Sequence, residues 1–593
     1  MSLLFNSPNR WYISAMAIIR SKRFFVSLCV GIFFCILPAS ADTQGQTVTF
    51  FVNTNFDQYG RSTLSATLQY VGVHTYFYVD DRYWNALTQS QQTLALTNIQ
   101  TLAQEFDTKI YPRETDIWGS EPNPGIDGDP RITILLQSMR QGNGGYFETI
   151  NEYSTREATT SNQREMISIT LDGLGSSLLN GFLAHEFQHM ISFKQKELTF
   201  RVSEETWLNE IRSEYATHVA GYASPYSGSY LERRIVAFLQ SPSDSLTEWP
   251  NTPADYGVAM AFAEYITGHY GVGVLSETLH SPRVGMGSLN DFLLQHHYSE
   301  TFSDIFGNWM VATYINDRAV NSIYGYGNPD LASLHVGPTF QQFLGMGTES
   351  TTTLSIKNWQ PMWQVWPIIR PTTPFAVKLD FTGEPNQNFL AMYTALFDDG
   401  TYAVGRVQFN DGNETVVIAD QGQPAKRIAQ VIVAVTAANQ QLEAGVYQSH
   451  SLTVHASLTT DQSLVSKAAP LNSLSGSVGD GALIKRNANE QETYVLWGKY
   501  KRYLKPEVIR LYGQLDPTRV VALDDTPFNA YMTSNYVRSI NDQKVYAVWP
   551  DGTKHWLHIT PQQWDASGRD WNSIFIINDA ELNFYQTGVD ITR

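Results

Sequence analysis

Two histidines one helical turn apart, with a glutamate between them, are the residues most able to do chemistry here. They stand in Ala184-His185-Glu186-Phe187-Gln188-His189-Met190. On a helix, positions i and i+4 share a face, so both imidazoles can meet one metal ion, while Glu186 reaches a water without ligating. Zinc suits this donor pattern; it makes a water acidic near neutral pH, and Glu186 is placed to take the proton and pass it to a leaving amine. A catalytic zinc needs a third protein ligand and an open position. Glu210 is the candidate, 21 positions after His189 in Trp207-Leu208-Asn209-Glu210-Ile211-Arg212-Ser213-Glu214, far enough for a loop and a second helix capped by Ser203. Glu204 and Glu205, at or before that helix start, are the weaker alternatives. Glu214, one turn beyond Glu210, can accept a hydrogen bond from the non-ligating nitrogen of His185 or His189 and fix the ring tautomer. The five-residue pattern alone also occurs in amphipathic helices with surface histidines; the Trp-Leu-Asn-Glu run and the second acid separate the two readings. His218, His269, His296 and His297 read as helix-face residues.

The elements that must position these groups follow from periodicity. Thr47–Val52 and Tyr70–Val79 alternate as strands, Ser90–Phe106 has helical spacing, and Met166–Leu171 reads as an edge strand just before the metal helix, where an extended peptide can add by main-chain hydrogen bonds. Between them lies a turn cluster, Pro122 to Pro130. Its Asp127 and Asp129 can hold a calcium ion with backbone carbonyls, but the other EF-hand positions are missing, so a tight loop before a strand is the preferred reading. Helical patterns run over about 177–345, in Ser229–Leu239, Ala254–Tyr270, Leu289–His296 and Phe302–Asp317. Beyond Leu344 six strand-like runs over roughly a hundred residues predict a β-sandwich.

Size and composition set the frame. A chain of 593 residues exceeds one hydrophobic core. Residues 1–41 read as a secretory signal peptide: Arg20-Ser21-Lys22-Arg23, the short apolar run Phe24–Leu37, then Ala39-Ser40-Ala41. Both cysteines, Cys29 and Cys35, fall inside it, so the mature chain has neither disulfides nor thiolate zinc ligands. Removing it also removes four basic residues and no acid, which deepens a net charge already at −17. Such a chain, without basic runs, argues against nucleic acid or an anionic membrane surface as partner, and the expected location is outside the cytoplasm: secreted, periplasmic or at the surface of a bacterial cell.

His185-Glu186-Phe187-Gln188-His189 with Trp207-Leu208-Asn209-Glu210 and Glu214 resembles the gluzincin clan, which includes thermolysin and the zinc aminopeptidases. Within it the likeness is greatest to the hyicolysin-type neutral metallopeptidases of bacteria and spans roughly 45–345. The resemblance implies a multidomain α+β protein whose catalytic domain has two lobes, strands and helices, cleaving protein or peptide substrates at a zinc between them. It also implies a Tyr or His that hydrogen-bonds the oxyanion, and Tyr256 opens a helix in roughly the place of the clan's tyrosine; no histidine motif corresponds to thermolysin's. The interval from His189 to Glu210 is longer than in the aminopeptidases, and no Gly-rich acidic motif for gripping a free amino terminus precedes it. An endopeptidase is therefore preferred to an exopeptidase of the same clan. A surface binding protein with a degenerate peptidase domain is the other rival, but every expected catalytic group is present.

The domain reading is thus signal peptide 1–41, catalytic domain 42–345, β-sandwich 346–457, a Ser/Thr/Gly-rich linker 458–480, and two tandem β-rich repeats over 481–537 and 538–593. The repeat rests on Tyr494-Val495-Leu496-Trp497 with Lys501-Arg502-Tyr503-Leu504 returning as Tyr546-Ala547-Val548-Trp549 with Lys554-His555-Trp556-Leu557. Similar repeats end secreted and surface-attached bacterial proteins. Their aromatic faces can contact a cell surface or glycan, though a packed spacer is the preferred reading.

Overall fold

The computed structural model describes residues 41–593 except 319–320, 408, 410–411, 421–426, 440–447, 466–482, 498–499, 513–514, 516, 518–519, 540–543, 561–562, 565–566, 568, 570–572 and 592–593. The leader expected over 1–41, Ala41 apart, and most of the 458–480 linker lie outside the described residues.

A six-stranded mixed sheet comes first: β1 (Thr47–Phe51), β2 (Thr63–Val71), β3 (Thr75–Asp80), β4 (Ile132–Gln137), β5 (Gly145–Phe147) and β6 (Met166–Thr170), ordered β1-β2-β3-β4-β6-β5. Parallel β3 and β4 are buried along their whole length, as parallel strands covered on both faces must be. Tyr70–Val79 is not one strand but the close of β2, a turn and β3: the Gly72 amide donates to the Thr75 carbonyl at 2.8 Å, and a Cβ at Gly72 would lie 2.7 Å from Thr75 Oγ1. Nor is Met166–Leu171 an edge. β6 is interior, paired with β4 on one side and β5 on the other, and the edge is three-residue β5. A strand that short, inside a Gly-rich loop, has no alternation to read.

Helices α1 (Asp81–Trp84), α2 (Gln89–Glu105) and α3 (Tyr111–Trp118) cross over from β3 to β4. After β6 come α4 (Ser177–Ser192), α5 (Thr206–Ala220), α6 (Tyr230–Gln240), α7 (Pro253–Tyr270), α8 (Gly273–Leu279), α9 (Gly285–Gln295) and α10 (Phe302–Ile315). Reciprocal Thr–Asp capping boxes open α7, at Thr252 and Asp255, and α10, at Thr301 and Asp304. Among the described residues no helix is long and apolar enough to cross a membrane.

Two packed sheets follow. One has β12 (Phe389–Phe397), β13 (Tyr402–Arg406), β15 (Ile428–Ala437) and β10 (Met362–Ile369), with short β7 (Phe340–Gln341) and β8 (Leu344–Gly345) on β10; the other runs β14 (Asn413–Asp420), β11 (Phe375–Gly383), β16 (Ser449–Thr459), β9 (Ser350–Lys357). Two of these strands lack a readable signal. β10 contains Pro367, which counts against a paired strand, and β12 is apolar with little alternation. The packing explains the second pattern. Phe389, Ala391, Ala395 and Phe397 of β12 belong to the sandwich core, while Leu390 and Met392 join the core of the helical block, so the strand is buried on both faces, as is β15 beside it. Trp359, Trp363, Val365, Leu390 and Met392 belong to that same helical core, and the Trp363 indole donates to the Met310 carbonyl of α10 at 2.9 Å. Hydrophobic packing therefore runs unbroken across residue 345.

The last region holds two five-stranded sheets of one topology. The first has Leu483–Arg486, Thr493–Trp497, Tyr500–Leu504, Val521–Leu523 and Met532–Thr533; the second has Tyr536–Ser539, Tyr546–Val548, Thr553–Trp556, Ile574–Ile577 and Gln586–Thr587. In each, the fourth strand lies beside the first and the fifth beside the third. Lys501 and Lys554 do the same work in the two sheets, donating to main-chain carbonyls of the helices Asp525–Ala530 and Asp579–Phe584.

Candidate metal centre

Leu183, Ala184, Phe187, Met190 and Ile191 bury α4 on its core side, which leaves His185, Glu186 and His189 along a cleft of about 480 Å³. α5 faces that line, anchored by buried Trp207, Leu208 and Ile211, and presents Glu210. The three donor atoms converge: His185 Nε2 lies 3.1 Å from His189 Nε2 and 3.3 Å from Glu210 Oε2, and His189 Nε2 lies 3.6 Å from the same oxygen. A tetrahedral ion held at about 2.0–2.1 Å needs donors about 3.3–3.4 Å apart. Glu210 Oε2 is buried and, the two imidazoles apart, has no hydrogen-bond donor, as a ligand oxygen is. Among the described residues no other group of three His, Cys, Asp or Glu closes in this way.

The supports behind the triad are divided between two residues. Glu214 Oε1 lies 3.1 Å from His185 Nδ1, and Ser213 Oγ lies 3.1 Å from His189 Nδ1 while donating to Gln188 Oε1 at 2.8 Å. Arg234 of α6 grips Glu214 with two hydrogen bonds of 2.7 and 2.8 Å, and the Tyr230 hydroxyl adds a third at 3.1 Å. Although burial opposes it, hydrogen bonding to Glu210 and Glu214 raises the His185 pKa to about 10. Two imidazoles ringed by Glu186, Glu210 and Glu214 thus call for positive charge, which a divalent cation provides. The sequence reading gives no role to Gln188 or Ser213, which stand in its motifs, and does not reach Tyr230 or Arg234. Tyr230 and Arg234 did carry a signal, since they share the i, i+4 spacing of the metal histidines.

Glu186 opens on the same cleft. Burial raises its carboxyl, and the two histidines and the Phe147 amide draw it part of the way back. Across the cleft Tyr256, in the first turn of α7, sets its ring 6.1 Å from that of His185 and donates its hydroxyl to Asn251 Oδ1 at 2.7 Å. Burial first, then the charges of Glu210, Glu214 and Glu186, raise the Tyr256 pKa, so the phenol stays a neutral donor.

The weaker candidates are otherwise engaged. Glu204 pairs with Arg212 at 2.8 Å and Glu205 accepts the Trp207 indole N–H at 2.5 Å. Ser203 does not cap α5: the N-cap is Glu205, and the Ser203 hydroxyl donates to Glu197 instead. His218 bonds Glu264 at 2.5 Å, His269 meets the Gly325 carbonyl and His296 meets Glu277. Asp127 accepts the Asp129 amide at 2.8 Å, and Asp129 accepts the Arg131 amide and the Tyr76 hydroxyl, contacts that serve the turn itself.

No family model matches the chain. A neutral metalloprotease of Staphylococcus hyicus, ShpI, is 24% identical over 325 residues, 51% of this chain and 70% of that protein. Two solved structures overlap at 11% identity: the pre-peptidase C-terminal domain of a Bacillus anthracis collagenase, covering 20% of this chain and 94% of that one at a TM-score of 0.14, and the Aeromonas hydrophila lysozyme inhibitor PliG, covering 20% and 99% at 0.13. Likenesses so slight carry no argument. In sequence the chain is similar to a bacterial neutral metalloprotease, and it carries a His-His-Glu site able to hold a metal.

Proposed function

We propose that the protein is an exported zinc endopeptidase of gluzincin type that hydrolyses peptide bonds in the cleft between the mixed sheet and α4. The observation that carries the reading is the convergence of His185, His189 and Glu210 donor atoms beside Glu186. When bound, zinc supplies a Lewis acid that polarises the scissile carbonyl and acidifies water. The chain's own residues do the rest. An extended substrate adds to the free edge at β5, which brings its carbonyl past Glu186. Glu186 accepts the proton of the attacking water and returns it to the amine that leaves, work suited to a carboxyl raised by burial. The Tyr256 hydroxyl turns from Asn251 and donates to the oxyanion. Glu214 and Ser213 hold the two imidazoles in the tautomers that leave Nε2 free. The C-terminal sheets serve as a spacer, with exposed Trp549 the natural point of any cell-surface or glycan contact.

Glu186→Gln is the test. The zinc content should stay at that of the unaltered chain, while casein hydrolysis falls by about 10²–10⁴-fold. Undiminished hydrolysis with zinc still bound would remove the general-base role.

A further inference from the structure

The segment 241–252, which joins α6 to α7, is pinned at one end and grips at the other. Its first half is fastened to the turn between β9 and β10 of the sandwich. The Ser245 hydroxyl donates to the Asn358 carbonyl at 2.6 Å, the Leu246 amide to the Trp359 carbonyl at 3.0 Å, and the Gln360 amide group to the Ser243 carbonyl at 2.8 Å. Lys357 Nζ lies 2.7 Å from Glu248. That turn is itself immobilised: Trp359 is fully buried, its ring 4.6 Å from Phe302 and 5.2 Å from Phe306 of α10. The second half holds Tyr256. Trp249, next to Glu248, sets its ring edge-on to Tyr256 at 5.2 Å, and Asn251 accepts the Tyr256 hydroxyl. Asn251 does so from a backbone φ of +63°, a conformation asparagine tolerates better than most residues.

We propose that the β-sandwich is a working part of the catalytic apparatus, acting through the strap 241–252, with Lys357 and Trp249 as positioning residues that set where the Tyr256 hydroxyl stands against the metal triad. This rests on the reading of Tyr256 as oxyanion donor. A hydroxyl displaced by an ångström from its acceptor forfeits most of its effect, and the strap's own end, Asn251 and Thr252, lines the cleft beside it.

The test is a double-mutant cycle on the full chain: Lys357→Met and Tyr256→Phe, singly and together, with zinc content, kcat and KM for a peptide substrate measured for each. Residues that act through one another lose additivity. Lys357→Met should lower kcat by about 10-fold or more with zinc content unchanged, KM should move less than about twofold, and in the Tyr256→Phe background the same change should do almost nothing. Lys357→Arg should restore kcat. Equal losses in both backgrounds, or no loss in either, would overturn the proposal. A fully active Tyr256→Phe would overturn the reading beneath it, and it is distinguishable because Glu186→Gln would still be inactive. Should Lys357→Met fail to fold, Trp249→Leu runs the same cycle from the other end of the strap.

Discussion

Two glutamates in this chain are buried completely against an arginine fork: Glu214 in the helical block and Glu581 in the last region. Arg234 meets Glu214 with two hydrogen bonds, and Arg502 meets Glu581 at 2.6 and 3.1 Å. Tyrosine hydroxyls complete both, Tyr230 at the first and Tyr512 and Tyr585 at the second. The difference lies in what else the carboxylate touches. Glu214 also reaches His185 Nδ1, so its charge bears on a proposed metal ligand, whereas Glu581, on the helix Asp579–Phe584, meets Arg502 of the preceding sheet and Tyr512 beyond it. One chemical device thus stands behind the candidate metal centre in one place and joins the two last sheets in the other. In both, an apolar replacement of the whole set would cost less than removal of one member, because the survivor would be a buried, unpaired charge.

The comparison can be broken by experiment. Glu214→Ala has the largest expected effect: a loss of about 3–5 kcal/mol from stranding Arg234, together with about 10–100-fold weaker zinc binding as His185 loses its orienting partner. Chelator competition and thermal unfolding read the two separately. Glu581→Ala should cost a similar amount of stability in the C-terminal sheets, yet leave zinc affinity and kcat/KM where they were. A fall in zinc affinity there would erase the distinction. Ser213→Ala comes next, with zinc binding weaker by about 10-fold and unfolding nearly unchanged, since a small neutral hydroxyl is removed rather than a charge. If Ser213→Ala binds zinc normally, His189 takes its orientation from packing alone.

What could be read in the sequence was what is local. His185 and His189 advertise themselves because helical geometry turns a spacing of four into a shared face, and Glu210 with Glu214 repeats the device one helix later. The apolar periods of α6, α7 and α10 are equally local. Arg234 lies 20 positions after Glu214, and nothing within either helix says that they meet. β5 is invisible for another reason: three residues cannot show a period of two, so the sequence pattern places the edge at the longer β6. The strap fails on both counts, since 241–252 is irregular and its partners lie more than a hundred residues away. Long-range pairing and short irregular backbone are where periodicity has no purchase.

A third acid, half-buried, sharpens the comparison further, because it is neutralised by a proton rather than an arginine. Asp244 faces Asp255 at the start of α7, with Glu248 and Lys357 alongside, and Lys357 is already paired with Glu248. Burial first, and then the charge of Asp255, push Asp244 up to about 7 from an ordinary value of 3.8. The folded chain therefore keeps a proton that the unfolded chain releases as pH rises above about 4. Stability must fall with rising pH across that window and level off above about 7. Asp244→Asn keeps a hydrogen-bonding side chain but cannot ionise, so it should match the unaltered protein near pH 4 and exceed it at pH 8. The gain is on the order of 1 kcal/mol, because the pair is partly exposed and water screens it. Urea midpoints from pH 4 to 8 measure it. Parallel midpoint curves would mean that Asp244 carries no shared proton, and that the foot of α7 is held by Lys357 and the Thr252 cap alone.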